Sequence, residues 1–389
     1  MMDWEAHKLS DEDITLWADE VCHAALKLAP PGRRHFVTRA CNGSERLKQR
    51  VDALLEADWT APEPEECTVC QPGDVVQDCF ILHRIGRGAA AEVYKAIQVN
   101  LLRVVAVKVI KNPAQRLLLV EEAKHVSQLK HENIVTVYAA DFSESRSSIV
   151  MEYVEGITLR HWLELRKATC AEQSPAGADK AAIKSIVRQI ALALGAAHSK
   201  RIVHRDMKPE NVLMYLTADH QWRVKVVDFG LAALAHGQDV TLAGTPGYIS
   251  PEQYSDGVQS DQRADIFSLG VILYEMLALD HPFLGQTEIE THYNTKYGMP
   301  KPLPAGFAGE FDTLVAKSLH KDPEQRYGRI EEFVRDLDLL DQSPPECPPG
   351  TTTPLLSELP APIRTWVERH GYGFEVAAGA FLLAVIPAL

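Results

Sequence analysis

Apolar residues recur along this chain with two different periods, and the change of period divides it. Near the start the spacing is helical. Ile14, Trp17, Ala18 and Val21 fall on one face. Ser10 stands where an N-cap belongs, and Asp11, Glu12 and Asp13 suit the positive end of a helix. Pro30-Pro31-Gly32 is expected to break the pattern. A later helix follows through Leu47, Val51, Leu54 and Leu55, again one apolar stripe. Residues 1–60 thus read as a helical segment and 61–75, rich in Pro and Glu, as a linker.

From Phe80 the pattern changes to strands. Phe80-Ile81-Leu82, Val105-Ala106-Val107, Ser148 to Val154 and Arg223 to Val227 are short runs of strand composition. Helical spacing returns at Leu117 to Leu129, and again at Ile183, Ile186, Val187, Ile190 and Leu194. Residues 167 to 179, with Cys170, Ser174, Pro175 and Gly177, read as a polar loop inserted between helices. Asp265 to Gly270 opens another apolar helix. Residues 341–373 read as a Pro-rich linker and 374–389 as an apolar tail. The run Val376 to Leu389 is about 14 residues and contains Pro387, short of the ~20 that span a bilayer. Three readings of it stand side by side: a buried terminal helix, a short membrane anchor and a disordered end. Arg364, Arg369 and His370 upstream suit a cytoplasmic flank.

Composition narrows the class. At 389 residues there is room for two or three domains. A net charge of −13 argues against nucleic acid as a general partner, because phosphate backbones want a basic face. Seven scattered cysteines read as free thiols in a reducing, cytoplasmic setting. Cys67 and Cys70 form one C-x-x-C with no second pair, and solvated linker thiols are expected there rather than zinc or redox chemistry. The acidic, polar start of the chain reads as no signal peptide.

The chemistry concentrates in His204-Arg205-Asp206-Met207-Lys208-Pro209-Glu210-Asn211, followed by Asp228-Phe229-Gly230. Two carboxylates and an amide in so short a span are what a metal–phosphate site needs. One carboxylate takes a hydroxyl proton, the other holds Mg²⁺, and the Asn oxygen holds a second ion. Lys208 supplies positive charge where negative charge builds on a transferring phosphoryl group. Upstream, Ile85-Gly86-Arg87-Gly88-Ala89-Ala90-Ala91-Glu92-Val93 is a Gly-rich turn whose amides can approach phosphates.

These stretches together resemble the bacterial-type (Hanks-type) serine/threonine protein kinases, over about 76–340. The resemblance implies an α+β, two-lobed fold, with a β-rich N-lobe at 76–154, a helical C-lobe at 155–340 and the N-terminal helices as an addition. It implies Asp206 as catalytic base, Lys208 on the phosphoryl group, and Asn211 and Asp228 as Mg²⁺ ligands. ATP would be held by Ile85, Gly86, Arg87, Gly88, Val93 and Lys108, with Glu122 pairing Lys108. Met151 would gate the back pocket, and Glu152 and Val154 would bond adenine. Ala91 stands where the family has a third Gly.

Further along, Gly244 to Glu252 resembles the end of an activation segment, here closing on Ser250-Pro251-Glu252. Its family partner for Glu252 is Arg326, and Asp265 is expected to anchor the catalytic loop. Arg205, directly before Asp206, suits a phosphothreonine partner. Thr241 is the expected phosphosite and Thr245 the remaining candidate, although Leu231 to Ala235 lacks the second basic residue the family often adds. Expected partners are proteins bearing Ser or Thr, a second copy for trans-autophosphorylation, and a membrane if the tail is an anchor. The competing classes are a catalytically silent kinase-like scaffold and a small-molecule phosphotransferase. Intact Lys108, Asp206, Asn211 and Asp228 speak against the first; the full Gly244 to Glu252 segment and Arg326 speak against the second.

Overall fold

The computed structural model describes residues 11–26, 28, 30–41, 44–57, 69–88, 91–111, 127–142, 147–169, 178–219, 221–229, 245–254, 261–304, 306–307 and 309–340. Glu122, Thr241, Cys67, Gly230, the linker at 341–373 and the tail at 374–389 lie outside them. The chain divides into two compact units: Met1–Ser127 with Thr136–Tyr153, and Gln128–Val135 with Val154–Leu389.

In the first unit a six-stranded antiparallel sheet runs in the order β1-β2-β3-β4-β6-β5. The strands are β1 (Val75–Val76), β2 (Cys79–Arg87), β3 (Ala91–Gln98), β4 (Arg103–Ile110), β5 (Val137–Asp141) and β6 (Ser148–Glu152). Among the described residues three helices precede the sheet: α1 (Asp11–Leu26), α2 (Pro30–Ala40) and α3 (Glu45–Ala57). The expected break at Pro30-Pro31-Gly32 is instead the first turn of α2. Proline is tolerated there because the first-turn amides have no helical acceptor to lose.

Side chains alternate across β2 and β3, so each strand feeds two cores. Phe80, Leu82 and Ile97 join Ile14, Trp17, Val21, Phe36, Val37, Leu47 and Val51 in one. Cys79, Ile81, Tyr94 and Ala96 join Val105, Val107, Val109 and Val150 in the other. Each fully buried large side chain is worth ~1.5–3 kcal/mol. A buried ion pair such as Glu20–Lys95, 2.7 Å apart, about breaks even against desolvation. Apolar burial therefore attaches the three helices to the sheet, and the ion pair fixes how they sit.

The solvated thiol expected at Cys70 is not found. Cys70 is buried in the second of these cores, and its amide donates to the Tyr94 hydroxyl at 2.9 Å. The residues before β1 pack down because that face of the sheet also needs cover. Burial pushes the Cys41 and Cys79 thiols up to about 12, with the charges of Asp52 and Asp78 adding to it. Neither is a thiolate at neutral pH.

The second unit carries a small antiparallel sheet, β7 (Ile157–Thr158), β8 (Val212–Leu216) and β9 (Trp222–Val226), in the order β7-β8-β9. Its helices are α4 (Leu159–Thr169), α5 (Ala178–His198), α6 (Arg263–Ala278), α7 (Glu288–Tyr297), α8 (Asp312–Ser318) and α9 (Ile330–Leu339). Helix α4 runs on through Lys167 to Thr169, into the stretch read as a loop. Ile183, Ile186, Val187, Ile190 and Leu194 are all fully buried on α5, as their spacing requires. Helix α6 is buried all round from Ala264 to Leu277, which makes it the central support of this unit. Gly156 enters β7 so close to the Met214 carbonyl that a Cβ would collide with it. Among the described residues no helix is long and apolar enough to cross a membrane.

Candidate active site

The second unit builds its polar site on one buried carboxylate. Asp265 sits in the first turn of α6 with no solvent exposure. It accepts from the His204 amide at 2.8 Å, the Arg205 amide at 2.8 Å and His198 Nε2 at 2.7 Å. Burial alone would push this carboxyl up. The hydrogen bond and charge of His198, with the hydrogen bond from the His204 amide, outweigh that and hold it below the ordinary aspartate value.

The loop so anchored is conformationally demanding. Arg205 has φ +65°, a left-handed conformation that a long side chain rarely adopts and that costs ~1–3 kcal/mol. Its amide bond to Asp265 is what holds it there. His204 faces Phe229, with ring centroids 4.6 Å apart. Its Nε2 donates to the Val227 carbonyl at 2.9 Å, which leaves Nδ1 to accept from the Asp206 amide at 3.3 Å.

Asp206, Lys208, Asn211 and Thr245 then form one hydrogen-bonded cluster. Lys208 Nζ lies 2.8 Å from Asp206 Oδ2 and donates to Thr245 Oγ1 at 2.7 Å. Asn211 Nδ2 donates to the Asp206 carbonyl at 2.8 Å and to Asp206 Oδ2 at 3.3 Å. The amide nitrogen is thereby committed, and the side-chain oxygen is the group of Asn211 left for a cation. Asn211 is locked in a short 3-10 turn, Pro209–Asn211, whose next residue starts β8. Its carbonyl accepts the Val227 amide at 3.0 Å, which brings the end of β9 and the following Asp228 alongside. Asp228 also has a left-handed φ, +64°, which aspartate tolerates better than most residues.

Asn211 and Asp228 fit Mg²⁺ by donor chemistry. Both offer hard oxygen ligands, and among the described residues no group of three His, Cys, Asp or Glu side chains could hold a metal by itself. Mg²⁺ is usually held through one or two carboxylates plus phosphate oxygens and water, so a dense protein cage is not required.

The stretch from Thr245 to Glu252 is equally fixed. Arg326 meets Glu252 through two parallel bonds of 2.8 and 2.7 Å. Tyr248 is buried between Arg160 and Glu275, and burial with the adjacent Glu275 charge pushes its phenol well above the ordinary tyrosine range. Arg160 also bonds Glu210 at 2.8 Å. Sequence reading missed the Arg160–Glu210–Tyr248–Glu275 cluster and the role of His198. The partners are too far apart along the chain for any local pattern to link them.

The first unit holds the Gly-rich turn and Lys108. Lys108 is buried on β4 opposite Val93 of β3 and Ile149 of β6. Gly86 pairs with Val93 beside a register shift in β2. The Gly88 amide donates to the Ala91 carbonyl at 2.9 Å. Ile85 and Arg87 are exposed on β2. Glu92 on β3, opposite Arg87, is buried. It accepts from Val69 and Tyr94 and lies near Arg84, Arg87 and Lys111. Met151 is buried on β6 opposite Ala106, Glu152 accepts the Thr136 amide at 3.1 Å, and Val154 opens the second unit.

A protein kinase domain model matches residues 80–336. The serine/threonine-protein kinase PknB of Mycobacterium leprae is 36% identical over 284 residues, 68% of this chain and 43% of that protein. PrkC of Bacillus subtilis is 32% identical over 270 residues, 66% of this chain and 39% of the relative. In structure, a double mutant of the PknI kinase domain of Mycobacterium tuberculosis superposes with a TM-score of 0.54 at 23% identity. That match covers 70% of this chain and 99% of the domain, and shows a shared fold. The chain spans less than half the length of the curated relatives it matches.

Proposed function

This chain belongs to the protein kinase family, and on that premise we propose that it transfers the γ-phosphate of ATP to Ser or Thr hydroxyls of proteins, with Mg²⁺. The observation that carries the reading is the Asp206–Lys208–Thr245–Asn211 cluster held on Asp265. The Asp206 carboxylate is the acceptor for the hydroxyl proton and orients that hydroxyl. Lys208, held between Asp206 and Thr245, places its charge beside the nucleophile, where phosphoryl charge develops. Asn211 Oδ1 and Asp228 are the metal ligands, and Mg²⁺ when bound neutralises phosphate charge. In the first unit Lys108 is assigned to the α- and β-phosphates, Glu122 to Lys108, and the Gly86–Gly88 turn with Ile85, Arg87 and Val93 to the nucleotide's cover. Met151, Glu152 and Val154 are assigned to adenine. Named serine/threonine kinases among the relatives support a protein substrate. The test is transfer of labelled phosphate from ATP with Mg²⁺ to a generic basic protein by the intact chain. An inactive chain under those conditions sinks the proposal.

Phosphorylation at Thr241, by a second copy of the chain, is the proposed activating event. Three other hydroxyls of the segment are engaged: Thr245 by Lys208, Tyr248 by Arg160 and Glu275, and Ser250 by Gln253. Arg205 Nε is buried and has no hydrogen-bond partner among the described residues, so a phosphate oxygen would satisfy it. Mass spectrometry after ATP treatment is expected to find phosphate on Thr241, at a rate rising with the square of chain concentration. Thr241→Ala is expected to lose activity several-fold. Phosphate found only on Thr245, with Thr241→Ala fully active, would reverse the assignment.

The apolar run 374–389 is proposed as a membrane contact. Deletion of 342–389 should remove the chain from membrane fractions and leave transfer intact; a chain that is never recovered with membranes refutes this.

A further inference from the structure

The N-terminal helices touch the face of the sheet that carries the nucleotide-site residues. β3 and β4 pair in continuous register, Val93 with Lys108, Lys95 with Ala106 and Ile97 with Val104. With side chains alternating, Val93, Lys95 and Ile97 share one face of β3, each about 7 Å from the next. Val93 is a position assigned to the nucleotide. Ile97 belongs to the core made with α1, α2 and α3. Lys95, between them, is 7% exposed and bonds Glu20 of α1 at 2.7 Å. The same ammonium stands 4.6 Å from the ring centroid of Tyr153. Tyr153 directly follows Glu152, whose backbone is assigned to adenine.

We propose that Lys95, held by Glu20, is a positioning residue for nucleotide binding, through which the N-terminal helices set the segment Met151 to Tyr153. A lysine has four rotatable carbons and would ordinarily leave for solvent. Glu20 restrains it on one side, and the Tyr153 ring attracts it on the other. Withdrawing Glu20 removes one restraint on Lys95 and weakens its hold on the Tyr153 ring. The backbone of Glu152 then samples more orientations, and adenine binding includes the cost of ordering it. The helices are thus a built-in support of the nucleotide edge, beyond their packing role.

This inference rests on the kinase reading, and the test separates the two. ATP saturation is measured on the full chain and on Glu20→Gln, Lys95→Met and Lys95→Arg, with melting temperatures beside each. Glu20→Gln and Lys95→Met are expected to raise the KM for ATP about fivefold or more, the scale of a typical coupling, with kcat little changed. Lys95→Arg keeps both the carboxylate pair and the ring contact, and should recover most of the loss. A merely structural role would lower the melting temperature and leave KM for ATP as it was, and that outcome overturns the proposal. Where Glu20→Gln fails to fold, the double variant Glu20→Leu with Lys95→Met replaces the pair by apolar packing. It should fold and still show the raised KM; an unchanged KM there also overturns it. An inactive unsubstituted chain would instead refute the kinase reading.

Discussion

Asp206→Asn is expected to lower phosphoryl transfer by about 10²- to 10⁴-fold, the usual share of a positioned general base. The asparagine keeps the shape and can still accept from Asn211 Nδ2, so the loop has no reason to rearrange. It cannot take a proton, and it removes the charge that Lys208 pairs with at 2.8 Å. The loss corresponds to about 3–5 kcal/mol of transition-state stabilisation, at 1.36 kcal/mol per decade. Lys108→Met should be comparably damaging, because a buried strand lysine is replaced by an apolar side chain of similar length. Initial rates at saturating ATP and circular dichroism decide it. Either variant transferring phosphate as fast as the parent, while folded, removes the catalytic assignment.

Asp265→Asn is expected to damage stability and activity together. The carboxylate accepts two backbone amides and His198 Nε2 in full burial. An asparagine can present only one acceptor oxygen, so its NH₂ must face another donor. Removing one member of such a buried charged set costs roughly 3–5 kcal/mol, enough to lower a melting temperature by several degrees or more. The Arg205 backbone, held left-handed by this bond, should then relax and carry Asp206 away from Lys208 and Thr245. The pH dependence has a definite sign. Asp265 has a folded-state pKa below its ordinary value of about 4, so its stabilisation is complete above that value and disappears as pH falls through the folded one. The stability difference between parent and variant should therefore narrow below about pH 4. A variant as stable and as active as its parent at pH 7 would show that Asp265 does not organise the loop.

Much of the site could be read from local spacing, because its residues are close in sequence. Asp206, Lys208 and Asn211 lie in one short stretch, and Asp228 follows a single strand pair later. The buried stripes of α1, α3 and α5 were equally plain from a period of 3.6. Contacts made across long separations were not. Arg160 meets Glu275 across 115 residues, and nothing near either one announces the other. The covering of both faces of β2 had a local sign that went unused. Cys79, Phe80, Ile81 and Leu82 are apolar without alternation, which is how a strand covered on two sides reads. The Pro and Glu content of 61–75 placed Cys70 in a linker instead, and gave α1 to α3 no docking surface. Glu122 was preferred to Glu121 only on its spacing to Leu129 and His131, and both glutamates lie outside the described residues.

The shared core of α1–α3 with β2 and β3 means that the stretch matching the family and the folded unit have different edges. Similarity to the kinase family begins at residue 80, yet Phe80 packs in a core that reaches back to Ile14. A recombination event that moved this domain between genes at the similarity boundary would cut through that core. It would leave Phe80, Leu82 and Ile97 facing water in the recipient. Descent would then favour keeping the helices and the sheet together, so the lineage of the first 57 residues should follow that of the domain they cover.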